Sequence, residues 1–329
     1  MKRTLIVIRN ILIWITVTLA ILIGAFLIMV FMIERGPSKR IRDLFVASVK
    51  ETSAGGFLGD LFLSKETVAT IVAPKDEIYS EKETTDSNLV VISPTKDEEI
   101  KNDIEVVDIQ GPLYHGKMLI VKNPSRVKVG VCDSFSPTQR GMTVKELYNK
   151  YDAIAAINGG KYNDVNGFGN GGQPEGIVIS QGKLLHGDLD TIYNVYGFDS
   201  KDVFVCGSMT AREALARGIR DAVTFGPSLI VNKKVTAYAS GLNPRTAIGQ
   251  RDDGTVLLLV IEGRQTSSLG ASYEDLAEIM LEYGAVNAAN LDGGMSSTMI
   301  YDGEEIINNC SVKGDRDMPT VFYVEKVGK

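Results

Sequence analysis

From Ile11 to Ile33 the chain runs for 23 residues without a charged side chain. No other feature restricts it so strongly, because so long an apolar stretch is either a bilayer-spanning helix or a leader that is removed. As a helix rising about 1.5 Å per residue it reaches roughly 35 Å, enough to cross a bilayer with some tilt. A cleaved leader has an apolar core of about 7–15 residues and a small-residue cleavage site. This run is longer and ends in Met32-Ile33-Glu34-Arg35, which favours an uncleaved anchor. Lys2, Arg3 and Arg9 precede it, while Arg35, Lys39, Arg40 and Arg42 follow, so flanking charge does not set the orientation.

Residues 34–102 read as a juxtamembrane stalk. Ile41, Leu44, Phe45 and Val49 are spaced for a short amphipathic helix, Ser53-Ala-Gly-Gly56 interrupts it, and Pro74 to Asp103 is dense in Asp, Glu, Lys, Thr and Ser. The body is then 103–329. A net charge of −6 argues against a grip on nucleic-acid phosphates. With only His115 and His186, far apart, an HExxH protease and a His-rich zinc site are excluded. Cys132, Cys206 and Cys310 form no CxxC pair; one disulfide and three buried thiols both fit.

The body consists of short apolar runs broken by glycines. Met118–Val121, Val127–Val131, Ala153–Ile157, Val256–Ile261, Val286–Leu291 and Thr320–Val324 read as strands, and Gly176–Ile179 with the turn Gln181-Gly182-Lys183 as a hairpin arm. Thr143-Val-Lys-Glu146 and Thr210-Ala-Arg-Glu213 are capping boxes, and Ser272 caps a helix with Leu276, Ile279, Met280 and Tyr283 on one face. This predicts an α+β fold, mixed β-sheets with flanking helices, behind one N-terminal transmembrane helix. Residues 143–160 and 272–294 share an order: helix ending in Tyr, strand containing Ala-Ala, then Asn or Asp before Gly-Gly. Gly-Gly after a strand lets the backbone turn sharply and approach a ligand.

Gly167-Phe-Gly-Asn-Gly-Gly172 formally fits a dinucleotide fingerprint, but a strand follows where a helix should begin, so it reads as a glycine loop. A more informative set joins acids and bases. Glu262-Gly-Arg264 and Asp292-Gly-Gly294 follow apolar strands, Arg245-Thr246 opens one, and Arg316 precedes the last. Two carboxylates at strand ends can divide acid and base work, and two arginines offer a fork for phosphate. By spacing alone, an active site and a structural salt-bridge cluster both remain open.

Six pieces in order, Ala156-Ile-Asn-Gly-Gly160, Pro174-Glu-Gly-Ile-Val-Ile179, Phe225-Gly-Pro-Ser-Leu-Ile230, Arg245-Thr-Ala-Ile-Gly249, Ile261-Glu-Gly-Arg264 and Asn290-Leu-Asp-Gly-Gly294 with Ser296-Ser-Thr298, resemble the phosphodiester glycosidase family. The resemblance covers about Leu119 to Val324. Departures are Lys161-Tyr162 where the family has an aromatic pair, Met295 in place of a glycine, and Glu262 where Asp is usual. The resemblance implies hydrolysis of the sugar–oxygen bond in a sugar-1-phosphodiester. It assigns Asp292 and Glu262 as catalytic carboxylates, Arg245 and Arg316 to phosphate, and Asn158 and Thr246 to substrate orientation. Gly159, Gly160, Arg264, Gly293, Gly294 and Ser296 complete the substrate-binding set. The expected partners are an envelope or exopolysaccharide phosphodiester and, through the N-terminal helix, the membrane, with the body outside the cytoplasm. No cofactor is certain. Asp292 with nearby carbonyls could hold a divalent cation, though no dense carboxylate cluster argues for one. A non-catalytic polysaccharide-binding module and a metal-dependent phosphodiesterase are the competing readings.

Overall fold

The computed structural model describes the chain except residues 1, 53–54, 74–83, 93–102, 165–168, 239, 312–313 and 328–329. Much of the acidic part of the expected stalk, and Gly167-Phe168 of the glycine loop, therefore lie outside the described residues. The chain divides into two compact units, 1–73 and 74–329.

In the first unit, α1 (Lys2–Arg35) is the one helix among the described residues long and apolar enough to cross a bilayer. The expected amphipathic helix is α2 (Lys39–Lys50), whose first turn is capped by the Ser38 hydroxyl accepting from the Ile41 amide. A third helix, α3 (Lys65–Val72), follows. The Phe62 amide donates to the Glu34 carboxylate at 2.8 Å, the Arg35 guanidinium donates to the Phe62 carbonyl at 2.6 Å, and the Phe31 and Phe62 rings meet edge to face. Part of the expected stalk is thus helical and packed on the end of α1.

The second unit holds three sheets, every described pairing antiparallel. In spatial order the seven-stranded sheet is β1 (Ile104–Gln110), β2 (His115–Val121), β13 (Val256–Ile261), β12 (Arg245–Arg251), β14 (Ala285–Leu291), β10 (Ser228–Val231) and β11 (Lys234–Val235). One five-stranded sheet is β16 (Glu304–Glu305), β15 (Met299–Tyr301), β4 (Ala153–Asn158), β17 (Thr320–Glu325) and β3 (Val127–Val131). The other is β6 (Lys183–His186), β5 (Val178–Ser180), β9 (Ile219–Val223), β7 (Ile192–Asp199) and β8 (Phe204–Thr210). Residues 84–92 also belong to this unit: the Thr85 hydroxyl accepts from the Cys206 amide at 2.9 Å, and the Val91 amide donates to the Asp252 carbonyl at 2.8 Å. All three cysteines are free thiols.

One face of each sheet turns to a shared core in which Leu258, Leu291, Ile157, Phe322, Phe198 and Phe204 meet. The opposite faces are covered by one helix each. Leu276 and Met280 of α6 (Tyr273–Glu282) cover Leu257 and Leu259; Val144 and Leu147 of α4 (Val144–Lys150) cover Ala156; Ala211 and Ala214 of α5 (Ala211–Ala216) cover Val195 and Val205. The period of two explains why β13 carries no polar residue: Val256, Leu258 and Val260 face the core, while Leu257, Leu259 and Ile261 face the α6 side. All three helices begin with a capping box, at Thr143, Thr210 and Ser272.

Candidate active site

Strands β4 and β14 belong to different sheets, but their ends meet. The Asp292 amide donates to the Gly159 carbonyl at 3.2 Å, and the Asn158 side-chain amide donates to the Asp292 carbonyl at 2.6 Å. The Asn158 oxygen accepts from the Thr246 hydroxyl at 2.7 Å and from the Thr298 amide at 3.1 Å. Asn158 is wholly buried. A fully buried amide meeting three partners is a fastener between sheets, and each bond lost there leaves a buried group unpaired. Close packing explains the first Gly-Gly. A Cβ on Gly159 would lie 2.5 Å from the Thr320 hydroxyl and 2.7 Å from its carbonyl oxygen.

The Asp292 carboxylate accepts from the Gly293 amide at 2.9 Å and from the Ser296 hydroxyl. The Ser296 hydroxyl in turn meets the Tyr162 hydroxyl at 3.1 Å, and Tyr162 accepts from Arg316 at 3.1 Å. Arg316 also forms an ion pair with Asp164 at 2.6 Å. Burial pushes Asp292 up to about 7, against the Ser296 and Gly293 bonds that favour its charged form; the negative charge of Asp164 adds to the rise and Arg316 opposes it. The residue as a whole is only partly buried. Tyr162 is pushed up to about 12 by burial and by the neighbouring Asp292 charge, so its phenol stays protonated and can bridge the two sides. Arg316 and Thr298 also line a pocket with Lys145 and Glu305, which gives Arg316 an open side despite its burial.

A second guanidinium lies over the same turn. Gly294 has φ +63°, and a Cβ there would stand 3.3 Å from Arg264 Nη1. Arg264, itself at φ +57°, donates to the Asn243 side-chain oxygen Oδ1 at 2.9 Å and bonds the Cys310 thiol.

Two expected members stand elsewhere. Arg245 and Thr246 are adjacent in β12 and so point to opposite faces. Thr246 reaches Asn158; Arg245 turns toward α6, stacks 4.2 Å over the Tyr273 ring and donates to the Ala271 and Gly241 carbonyls. Its guanidinium is buried and holds the 240–244 loop. Glu262 is buried too, bonded to His115 Nε2 at 2.8 Å and accepting from the Asn308 amide at 2.9 Å. The next residue, Asn309, donates to the Met295 and Ser297 carbonyls and to the Thr298 hydroxyl. Glu262 thereby supports the loop that braces the Asp292 turn. Lys161 is exposed and paired with Glu175 at 2.7 Å.

The structure therefore brings together Asn158, Gly159, Thr246, Asp292, Gly293 and Ser296, with Arg264 and Arg316 at the turn. Sequence reasoning gave no site role to Tyr162, Asp164, Thr298 or Asn309. Tyr162 carried a signal, since it follows an exposed Lys161 and period-two alternation turns the next side chain inward. Asp164 and Asn309 lie in irregular loops, where no periodicity applies. Among the described residues no group of three or more His, Cys, Asp or Glu is arranged to hold a metal.

The model of the phosphodiester glycosidase family matches residues 151–325, which contain every residue of this constellation. The chain belongs to the phosphodiester glycosidase family. Among the relatives of this phosphodiester glycosidase chain is the SPbeta prophage-derived uncharacterized protein YomE of Bacillus subtilis, 31% identical over 208 residues, covering 58% of this chain and 31% of that protein. Human N-acetylglucosamine-1-phosphodiester alpha-N-acetylglucosaminidase is 27% identical over 186 residues, covering 50% of this chain and 35% of the enzyme. The match thus spans about a third of the length of these relatives. The zebrafish enzyme's catalytic domain, solved auto-inhibited by its pro-peptide, superposes with a TM-score of 0.56 at 20% identity, over 68% of this chain and 82% of that one. That likeness establishes a shared fold.

Proposed function

We propose that this chain is a membrane-anchored glycosidase that hydrolyses the sugar–oxygen bond of a sugar-1-phosphodiester in envelope or exopolysaccharide metabolism, its body outside the cytoplasm. The observation that carries the reading is a carboxyl group whose proton is held up to about 7, set at a strand end with Arg316 and Arg264 beside it. The arginines take the charge that gathers on the departing phosphate, and a planar fork suits that task better than an ammonium. Asp292 gives its proton to the leaving oxygen. An acid near 7 suits a phosphomonoester, whose second ionisation lies near about 6. Asn158 and Thr246 keep Asp292 in place from behind, and Ser296 and Tyr162 orient its carboxyl. Because the leaving group already carries charge well, the chemistry makes little demand on histidine.

The test is sugar release from a UDP-sugar or a simpler sugar-1-phosphodiester in oxygen-18 water. Label in the sugar is expected. Label in the phosphate product would mean attack at phosphorus and would overturn the reading, and tight glycan binding without release would favour the binding module. Asp292→Asn should lower turnover by at least about 100-fold while the protein stays folded. Protease added to intact spheroplasts should remove the body; full protection until lysis would place it on the other side.

A further inference from the structure

Glycoside hydrolysis commonly uses two carboxyl groups about the scissile bond, one giving a proton and one assisting attack from the other side. Near Asp292 the structure offers Asp164, whose negative charge acts on Asp292 and whose carboxylate is joined to it through Arg316, Tyr162 and Ser296. Glu262 has both oxygens engaged, by His115 and by Asn308, and is buried at 5% exposure. Asp164 is anchored differently. Its Oδ1 takes the Arg316 ion pair at 2.6 Å and the Gly169 amide at 2.8 Å, whereas Oδ2 accepts no hydrogen bond from the described residues. The side chain is 26% exposed, so water reaches the carboxylate.

We infer that Asp164 is the second catalytic carboxylate of this site, its Oδ2 taking the proton of the attacking water. The inference rests on the glycosidase reading above and completes it. In the step, the water oxygen bonds to the anomeric carbon as the bond from that carbon to the phosphate oxygen breaks. The electron pair leaves with the phosphate oxygen, Asp292 supplies a proton to it, and the water's proton passes to Asp164. The products are a free sugar and a phosphomonoester, and a proton returned from Asp164 to Asp292 through solvent resets the pair. Arg316 is paired with Asp164 and its charge also acts on Asp292, so one guanidinium fixes the base and tunes the proton donor.

The test uses the full chain and a sugar-1-phosphodiester. Asp164→Asn should lower kcat by about 100-fold or more with KM changed less than about threefold and an unchanged melting temperature. Asp164→Ala should recover turnover in added formate or azide, with azide giving a glycosyl azide, which a lost structural ion pair would not produce. If Asp164→Asn keeps more than half of kcat and only KM rises, Asp164 merely orients Arg316 and the inference falls. Should both variants melt early, Asp164→Glu with formate-independent turnover keeps the question decidable, and an inactive but folded Asp164→Glu that formate cannot rescue counts against it. Absence of turnover in the unmodified chain sinks the glycosidase reading itself. Normal turnover in it, with unimpaired Asp164→Asn, sinks this inference alone.

Discussion

Thr143 and Ser272 each cap a helix through a reciprocal bond with the residue three positions on, Glu146 and Asp275. Each helix leads into a strand, and the strands end in Asn158-Gly-Gly and Asp292-Gly-Gly. Locally the two stretches match, yet they do opposite things. β4 lies between β15 and β17 in a five-stranded sheet, and β14 between β12 and β10 in the seven-stranded one. At the first strand end a neutral amide is wholly buried and spends its polar atoms on Thr246, Thr298 and Asp292. At the second a carboxyl on a partly buried residue holds its proton to about 7. One turn fastens the two sheets, and the other carries the carboxyl that the first holds in place. A repeated local plan therefore carries no commitment to a repeated function; what each end touches decides that.

The sharpest way to break this comparison is to exchange the chemistry of the two ends. Asn158→Asp replaces a donating amide with a carboxylate facing the Asp292 carbonyl, inside a site with no solvent. The expected loss is about 3–5 kcal/mol, a large share of the roughly 5–15 kcal/mol that holds an ordinary domain folded. Asn158→Ala leaves three buried groups without their partner, at about 1–3 kcal/mol for each such group before relaxation. Denaturant unfolding measures both. If Asn158→Asp folds with less than about 1 kcal/mol of loss, the ends are interchangeable and the contrast is wrong.

A smaller effect sharpens it. Asp292 moves from 3.8 to about 7 on folding, so between these values the unfolded chain has lost its proton while the folded chain keeps it. The folded state then binds more protons, stability declines as pH rises through that window, and it levels off above about 7. Asp292→Asn removes the titration. Its stability should match the parent's near pH 4 and exceed it at pH 8, by on the order of 1 kcal/mol once the residue's partial exposure is discounted. A parallel pair of melting curves from pH 4 to 8.5 would contradict the burial argument. On the proposed function, the same proton should give turnover an alkaline limb near 7.

The smallest difference is expected where the two stretches are alike. Thr143→Ala and Ser272→Ala each remove one cap, and each should cost about 1 kcal/mol. A pair of thermal melts checks it. Strongly unequal losses would show that the helices are not equivalent after all and that the similarity stops at the sequence.

The sequence by itself determined the capped helices, about half of the strands and the key turn residues. Caps at Thr143, Thr210 and Ser272, the apolar runs of β13 and β14, and the Gly-Gly after each key strand follow from local rules: a hydroxyl for orphan amides, a period for burial, a missing Cβ for close approach. The ordered motifs also pointed to the family. Only the tertiary structure decided which polar groups share a space. Arg245 and Thr246 are neighbours in the chain, but strand geometry sends one to Tyr273 and the other to Asn158. Tyr162, Asp164 and Arg316 are far from Asp292 in sequence, and they join it because β4 and β14, in separate sheets, run to the same point. Local propensity is written in short spacings, whereas proton affinity and partnership depend on contacts between distant segments. That is why Asp292 could be chosen from its strand end, while its proton and its companions had to come from the packing of three sheets.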